Sequence, residues 1–407
     1  EQPQILEYIK NTVRKNGIAD RIKFGSELRA ATYDAGKWVL QLATGETLYA
    51  QFLISAVGQL HKPRFPDYQG LEIFKGPSFH SANWNHAIDL KGKTVAVIGN
   101  AASAVQFVPY LAEEAGKLLI YQRSANWVSR KRDRPYKDWE KKLMRVFPVF
   151  KRISRLKHYL RNELIAYPAI NGNRVARWLV KMVCLNYLNT TVTNESLRQK
   201  LLPDYPVGAK RILVADGYYE ALTRNNVELI TDLIDAIDEK GILTRSGRHY
   251  PCDVIIFGTG FVTNPFLADI AVTGRSGRAL SERWSAGARA YLGITTSEFP
   301  NLFFMYGPNT NLGHNSILLM AEPQADYIIQ ALEEVDRRNA ASLEVRNDIE
   351  EQYNRELQAR LQNMVWNSVA DSWYKSGGLV TNNWPGSVGE YWKVTRKFRA
   401  EDYVVRP

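Results

Sequence analysis

From Lys93 to Tyr121 the chain reads as an apolar strand (Lys93-Thr94-Val95-Ala96-Val97-Ile98-Gly99), a helix over about Ser103–Ala115, and a second apolar strand, Leu118–Tyr121. Two short apolar runs joined by a helix make a parallel crossover, so this stretch commits the chain to an α/β layer. The turn between strand and helix, Gly99-Asn100-Ala101-Ala102-Ser103-Ala104, has the form G-x-A-x-x-A. Gly99 permits the tight turn, the small Ala101 lets a pyrophosphate approach the backbone, and Ala104 allows close helix–strand packing. The segment around Asn100 and Ser103 opens the helix, whose free N–H groups and positive dipole end favour phosphate. A bare glycine turn would only connect two elements; the strand before it and the helix after it give this one a dinucleotide reading.

Specificity in such a unit is set where the second strand ends, here Tyr121-Gln122-Arg123-Ser124. A carboxylate there would bind the 2′-hydroxyl of NAD. Arg123 instead offers a planar fork of donors that suits a phosphate, so NADPH is the expected nucleotide.

The 407 residues are 45% hydrophobic and 23% charged, an ordinary globular composition with room for two or three domains. No run approaches the length of a membrane-spanning helix. Cys184 and Cys252 are the only cysteines, so there is no CxxC redox pair and no cysteine metal cluster, and a reducing, cytoplasmic compartment is expected. Of the net charge of +11, the stretch Arg123–Arg211 carries an excess of 15, from 21 Lys+Arg against 6 Asp+Glu, leaving the remainder at −4. A basic stretch of this kind is either a solvated helical face or a surface for something anionic. It contains no recognised nucleic-acid module, so no nucleic-acid partner is expected; weak peripheral contact of 125–205 with an anionic membrane is the other reading.

Ahead of the crossover, residues 3–15 read as an amphipathic helix, followed by short alternating runs at Arg21–Phe24, Glu27–Tyr33, Trp38–Leu42 and Thr47–Ala50, an antiparallel meander. Gln51–Gly58 is an apolar strand running into a glycine, and Leu60–Pro66 a Pro-containing connector. Residues 125–205 are helical by pattern, aromatic and basic. Apolar strands return at Val227–Ile230, Asp253–Phe257 and Leu302–Tyr306, with helices over Ser316–Arg337 and Ile349–Asn363.

The spacing Phe74-x-Gly76-x-x-x-His80-x-x-x-Trp84 is the most specific pattern in the chain. From composition alone His80 would be an interdomain packing histidine, but with this spacing the chain resembles the Baeyer–Villiger monooxygenases, class B flavin monooxygenases, and most of all their 4-hydroxyacetophenone monooxygenase branch. Trp84 favours that ketone-oxidising side over the amine- and sulfide-oxidising relatives, while Asn85 departs from the usual Pro or Asp. The resemblance implies two Rossmann-like dinucleotide-binding domains, with an NADP domain (63–252, including the helical insertion 125–205) inserted into a discontinuous FAD domain (1–62 and 253–407). It implies FAD and NADPH as cofactors, and O2 plus a small-molecule ketone as co-substrates. One oxygen atom enters the ketone to give an ester or lactone.

Residue by residue, Gly58 and Gly258-Thr259-Gly260 resemble the family's paired strand-to-glycine crossings. Lys210 would join Arg123 and Ser124 at the NADP 2′-phosphate, and Arg211 would be the catalytic arginine beside the flavin. Gly307-Pro308-Asn309 begins the loop over the isoalloxazine, with Leu312 and His314 bordering substrate. Asp371-Ser372-Trp373-Tyr374 carries a tryptophan, Trp373, for the nicotinamide nucleotide. The family also has a glycine-rich unit for the ADP half of FAD, and no second unit of that kind is legible here. The expectation is therefore an N-terminally truncated, inactive chain whose returning strands lack a central partner. Oxygenation of sulfur or nitrogen, and a non-catalytic NADP-binding remnant, stay open as alternatives; disulfide reduction lacks its cysteine pair. No metal is expected.

Overall fold

The computed structural model describes every residue except Glu1, Asn264, Pro265, Ala268, Ala370 and Asp371. At its centre is a five-stranded, all-parallel sheet in the order Val227–Ile230, Lys117–Tyr121, Thr94–Ile98, Val254–Phe257, Ser78–His80. The near-continuous apolar runs at Val95–Ile98 and Val254–Phe257 are what a strand covered on both faces requires, and both are buried. The helix Ala104–Glu114 covers one face with Val105, Val108 and Leu111, joined by Leu188, Val192 and Tyr218. The other face meets Ile237, Ile242 and Tyr250 of a three-stranded antiparallel meander, Ile234–Ile237, Gly241–Thr244 and His249–Pro251.

Sheet membership alters two expectations. Val254–Phe257 lies between Thr94–Ile98 and Ser78–His80, so a boundary at 252/253 would cut an inner strand away from the nucleotide sheet. Nor does it lack a neighbour, and Leu302–Phe304 likewise pairs in parallel with Leu53–Ser55. A strand's destination depends on which edge its side chains can be covered at, which its own apolarity does not encode.

The antiparallel part forms as expected over Leu28–Asp34, Lys37–Leu42 and Thr47–Ala50, with Ala271–Thr273 added in parallel. Its first hairpin turns at Ala35 and Gly36, both at positive φ, the geometry that matches strand twist. Arg21–Phe24 is no strand: Ala19–Arg21 is a 3₁₀ turn and Ile22–Phe24 pairs with nothing in a sheet. The helix Gln2–Lys15 forms, yet buries none of its residues.

The insertion is helical throughout 138–200, in segments Asp138–Val146, Val149–Arg161, Tyr167–Ile170, Arg174–Thr191 and Glu195–Lys200. Pro148 separates the first two, and neither of those buries a single residue. The later ones dock, with Ala169, Ile170, Cys184, Tyr187 and Leu188 inside. Beyond the sheets, Leu318–Arg337, Asn347–Gln362 and Val388–Thr395 pack around Tyr327, Leu361 and Tyr391.

Candidate active site

The glycine turn has the geometry a pyrophosphate needs. Gly99 sits at φ +105°, and a Cβ there would lie 2.5 Å from the Gly258 carbonyl oxygen. Only glycine allows these two backbones to meet. Ala104 packs into the same contact: a Cβ on Gly258 would come within 3.4 Å of its methyl. The N–H groups of Ala101 to Ala104 have no acceptor within the chain among the described residues, and Ala101 and Ala102 are exposed. That is a helix start ready for an anion.

The turn is stapled to the end of the next strand. Asn100 donates to the Gln122 side chain at 2.8 Å and to the Ser124 carbonyl at 3.0 Å. This holds Arg123 and Ser124 beside the phosphate cradle. The segment 205–211 is bound to the same corner: Trp127 Nε1 donates to the Tyr205 carbonyl at 2.9 Å, and Tyr205 donates its hydroxyl to the Ala125 carbonyl at 3.1 Å. Lys210 lies with its ammonium 4.7 Å from the Tyr205 ring centroid. Tyr205 thus ties the segment that carries Lys210 to Ala125, next to Ser124.

The two crossings between the halves run side by side. Arg64 donates to the Gly260 carbonyl and Val262 to that of Lys62, both at 2.9 Å, and the Thr259 hydroxyl donates to the Arg64 carbonyl. His80 is buried here, its ring edge-on to Phe65 and Phe261, and burial pulls its imidazole below the ordinary histidine range. The other fingerprint residues are structural too. Gly76 passes against the Asp253 carbonyl where a Cβ would collide, Phe74 packs on the sheet, and Trp84 stacks edge-on with Phe79 and Phe107.

Gly307 opens a loop pinned on both sides. A Cβ on Gly307 would collide with the Gly293 carbonyl, and one on Gly293 with Thr310. Asn309 and Asn311 donate their backbone N–H groups to the carbonyls of Thr381 and Asn382, at 2.8 and 2.9 Å. Trp373, with its carbonyl held by Asn382 at 2.8 Å, comes from the next segment; Asp371 lies outside the described residues.

A cavity of about 40 Å³ lies where loop, insertion and 205–211 meet, lined by Lys210, Arg211, Gly313, Ala166, Ile170 and Tyr374 among others. Arg211 acts electrostatically on Tyr306 and Tyr374. Gly313 lines this cavity; Leu312 packs in the same buried cluster as its Ile170, Trp366 and Tyr374, and His314 pairs with Glu163. Tyr306 and Glu163 carry no motif in the sequence; Tyr306 at φ +60° betrays itself only in three dimensions.

Five buried polar side chains around the crossings and loop have unpartnered atoms: both ends of the Gln59 amide, His80 Nε2, Asn309 Oδ1, His314 Nδ1 and Asn383 Nδ2. Such a set includes both donors and acceptors, as the pyrimidine edge of an isoalloxazine demands. The residues present therefore fit a flavin ring. They fit its ADP half less completely: among the described residues the other strand–glycine–helix connections, through Gly217 and Gly277, lead into helices of only 5 and 4 residues. Burial pushes the Cys184 and Cys252 thiols up to about 12, so neither is a ready nucleophile.

The sequence profile of the flavin-binding monooxygenase-like family matches residues 1–280. The chain belongs to the flavin-binding monooxygenase-like family. Within it, a Baeyer-Villiger monooxygenase of Pseudomonas aeruginosa is 38% identical over 409 residues, covering 99% of this chain and 77% of the relative. One of Streptomyces coelicolor is 33% identical, covering 100% of this chain and 79% of the relative. Among solved structures, an oxidized steroid monooxygenase bound to NADP superposes with a TM-score of 0.88 at 29% identity, covering 100% of this chain and 85% of that one. The OTEMO complex with FAD and NADP gives a TM-score of 0.89 at 25% identity, with the same coverage. This flavin-binding monooxygenase is thus an FAD- and NADPH-dependent enzyme of two dinucleotide-binding domains.

Proposed function

We propose that the chain inserts one atom of O2 into a ketone to give an ester or lactone, consuming NADPH and releasing water. The observation that carries this reading is Arg211, which lines one cavity with Tyr374 and Gly313. When bound, the flavin accepts hydride from NADPH and activates O2. The chain supplies position, exclusion of water and charge. Arg211 stays protonated and offers several donors to negative charge on the oxygen being transferred. Trp373 and the Gly307-Pro308-Asn309 turn border the nicotinamide and flavin. Aryl ketones, the substrates of the 4-hydroxyacetophenone branch, are the first to try. A ketone and a sulfide supplied side by side, with products separated by gas chromatography, test the reading; sulfoxide without ester overturns it.

Arg123, Ser124 and Lys210 are assigned to the 2′-phosphate. Arg123→Ala is expected to weaken NADPH about tenfold or more, the worth of one charged hydrogen bond, and to leave NADH nearly unchanged. Fluorescence titration with both nucleotides checks it, and equal losses remove Arg123 from phosphate recognition.

We place the enzyme in the cytoplasm, in loose contact with anionic membrane. No helix among the described residues is long and apolar enough to cross a bilayer. Peripheral contact has a different basis. The helices Asp138–Val146 and Val149–Arg161 leave Trp139, Phe147, Phe150, Ile153 and Leu156 exposed, flanked by Lys142, Arg152 and Lys157. Apolar side chains beside cations suit the headgroup boundary, where each Lys or Arg contributes about 1 kcal/mol on anionic lipid. The protein is expected to co-sediment with phosphatidylserine vesicles at low salt and to leave them at high salt. Equal binding to neutral vesicles defeats this assignment.

A further inference from the structure

The insertion stops being exposed at one turn. Asn162–Ala166 is a π-helical turn between the wholly exposed helix Val149–Arg161 and the docked segment Tyr167–Ile170. Such turns accommodate an extra residue at the cost of regular hydrogen bonding, and they recur at functional positions. Here the turn aims Glu163 inward, its side chain only 9% exposed.

Glu163 meets three donors from two other parts of the chain. Oε1 lies 3.0 Å from His314 Nε2 and accepts from Asn315 Nδ2 at 3.0 Å; Oε2 accepts from the backbone N–H of Val388 at 3.2 Å. Val388 is the first residue of the helix Val388–Thr395, so the carboxylate also sits at a positive dipole end. His314 is 1% exposed in its side chain, and Tyr167, four residues after Glu163, stacks on its ring at 5.1 Å. Three residues after Glu163, Ala166 lines the cavity beside Arg211; one residue before His314, so does Gly313.

We propose that Glu163 is a positioning residue for the oxygenation site: by holding His314, Asn315 and Val388 at once, it sets the wall that Ala166, Ile170 and Gly313 present to Arg211. This rests on the ketone-oxygenating reading of that cavity. At about 40 Å³ the cavity holds about three waters by volume, so admitting a ketone requires this wall to shift. The Glu163 cluster is what resists the shift and returns the wall afterwards.

Two acceptor oxygens are needed. In Glu163→Gln one becomes an NH2 group that faces a donor, whichever way the amide is turned. The charge matters as well. Burial alone would raise the Glu163 carboxyl, but hydrogen bonds from His314 and Asn315 bring it below its ordinary value. A depressed carboxyl contributes stability above its unfolded pKa and loses it as pH falls through the folded one, so acid loosens the wall. The other ionisable groups in reach are Tyr159 and Tyr167, with the Arg360–Glu390 pair beyond Tyr167.

The test uses the full chain loaded with flavin. Glu163→Gln is expected to raise the ketone KM about tenfold, with kcat and the NADPH KM within about twofold of wild type, as for the loss of a charged hydrogen bond outside the reacting atoms. Hydrogen–deuterium exchange is expected to rise together in 159–170 and 309–316. Its acid-side loss of ketone affinity should disappear, whereas Glu163→Asp, which keeps the charge, should retain it. Asn315→Ala removes one donor only and carries the same test if Glu163→Gln fails to fold. Unchanged exchange in 309–316, or a fall in kcat with KM untouched, overturns the proposal. If wild type makes no ester, the functional reading falls while the exchange measurement still decides what Glu163 holds.

Discussion

In Arg211→Ala, ester formation is expected to fall about 10²–10³-fold, the usual consequence of deleting one charge-stabilising donor at a reacting oxygen. FAD and NADPH should still bind, because the phosphate cradle at Gly99–Ala104 and the partners of Asn309 do not involve this side chain. Reducing equivalents would then appear as hydrogen peroxide, or flavin reduction would slow. Parallel measurement of NADPH oxidation, peroxide and ester distinguishes these outcomes. Ester yield per NADPH equal to that of wild type would take Arg211 out of the reaction.

The second large effect concerns the flavin itself. Purified as 407 residues, the chain is expected to hold NADPH more tightly than FAD, which has to be supplied in excess to load the flavin site. Dinucleotides in this fold depend on a glycine turn and helix start for the pyrophosphate, and the unit at Gly99–Ala104 is stapled to Gln122 and Ser124, on either side of Arg123. The ring-side groups, Gln59 and Asn309 with them, would hold only half of the cofactor. Flavin absorbance of the purified protein before and after dialysis against excess FAD measures this. A yellow, monodisperse 407-residue preparation that oxidises ketones would show that these residues bind FAD without such a cradle.

The glycine turn was legible because its geometry is local. The turn Gly99–Ala104 lies between elements whose apolar runs announce themselves, and Arg123 follows at the next strand's end. The fingerprint Phe74–Trp84 was legible as a pattern, but its physical meaning was not. Gly76 is required by the Asp253 carbonyl, a contact that no local pattern records. Glu163 was invisible for a related reason: His314 is 151 residues away, and a π turn arises from tertiary docking rather than from propensity. The meander Ile234–Pro251 escaped notice because its strands are three or four residues long, though Ser246-Gly247 marks a turn. Arg21–Phe24 misled in the opposite direction, its alternation finding no neighbour to pair with.

The place of Val254–Phe257 governs the order in which this protein can be assembled. Ser78–His80 has no other neighbour in the sheet, and Thr94–Ile98 has one edge open until the same strand arrives. During synthesis, both must wait while the 155 residues between Ile98 and Val254, the basic insertion 125–205 among them, emerge with a sticky edge on show. A chaperone bound to the nascent chain would be most needed in that interval. A nucleotide-binding piece made on its own would have to run past Phe257, through the Gly258–Gly260 turn, to escape the same hazard.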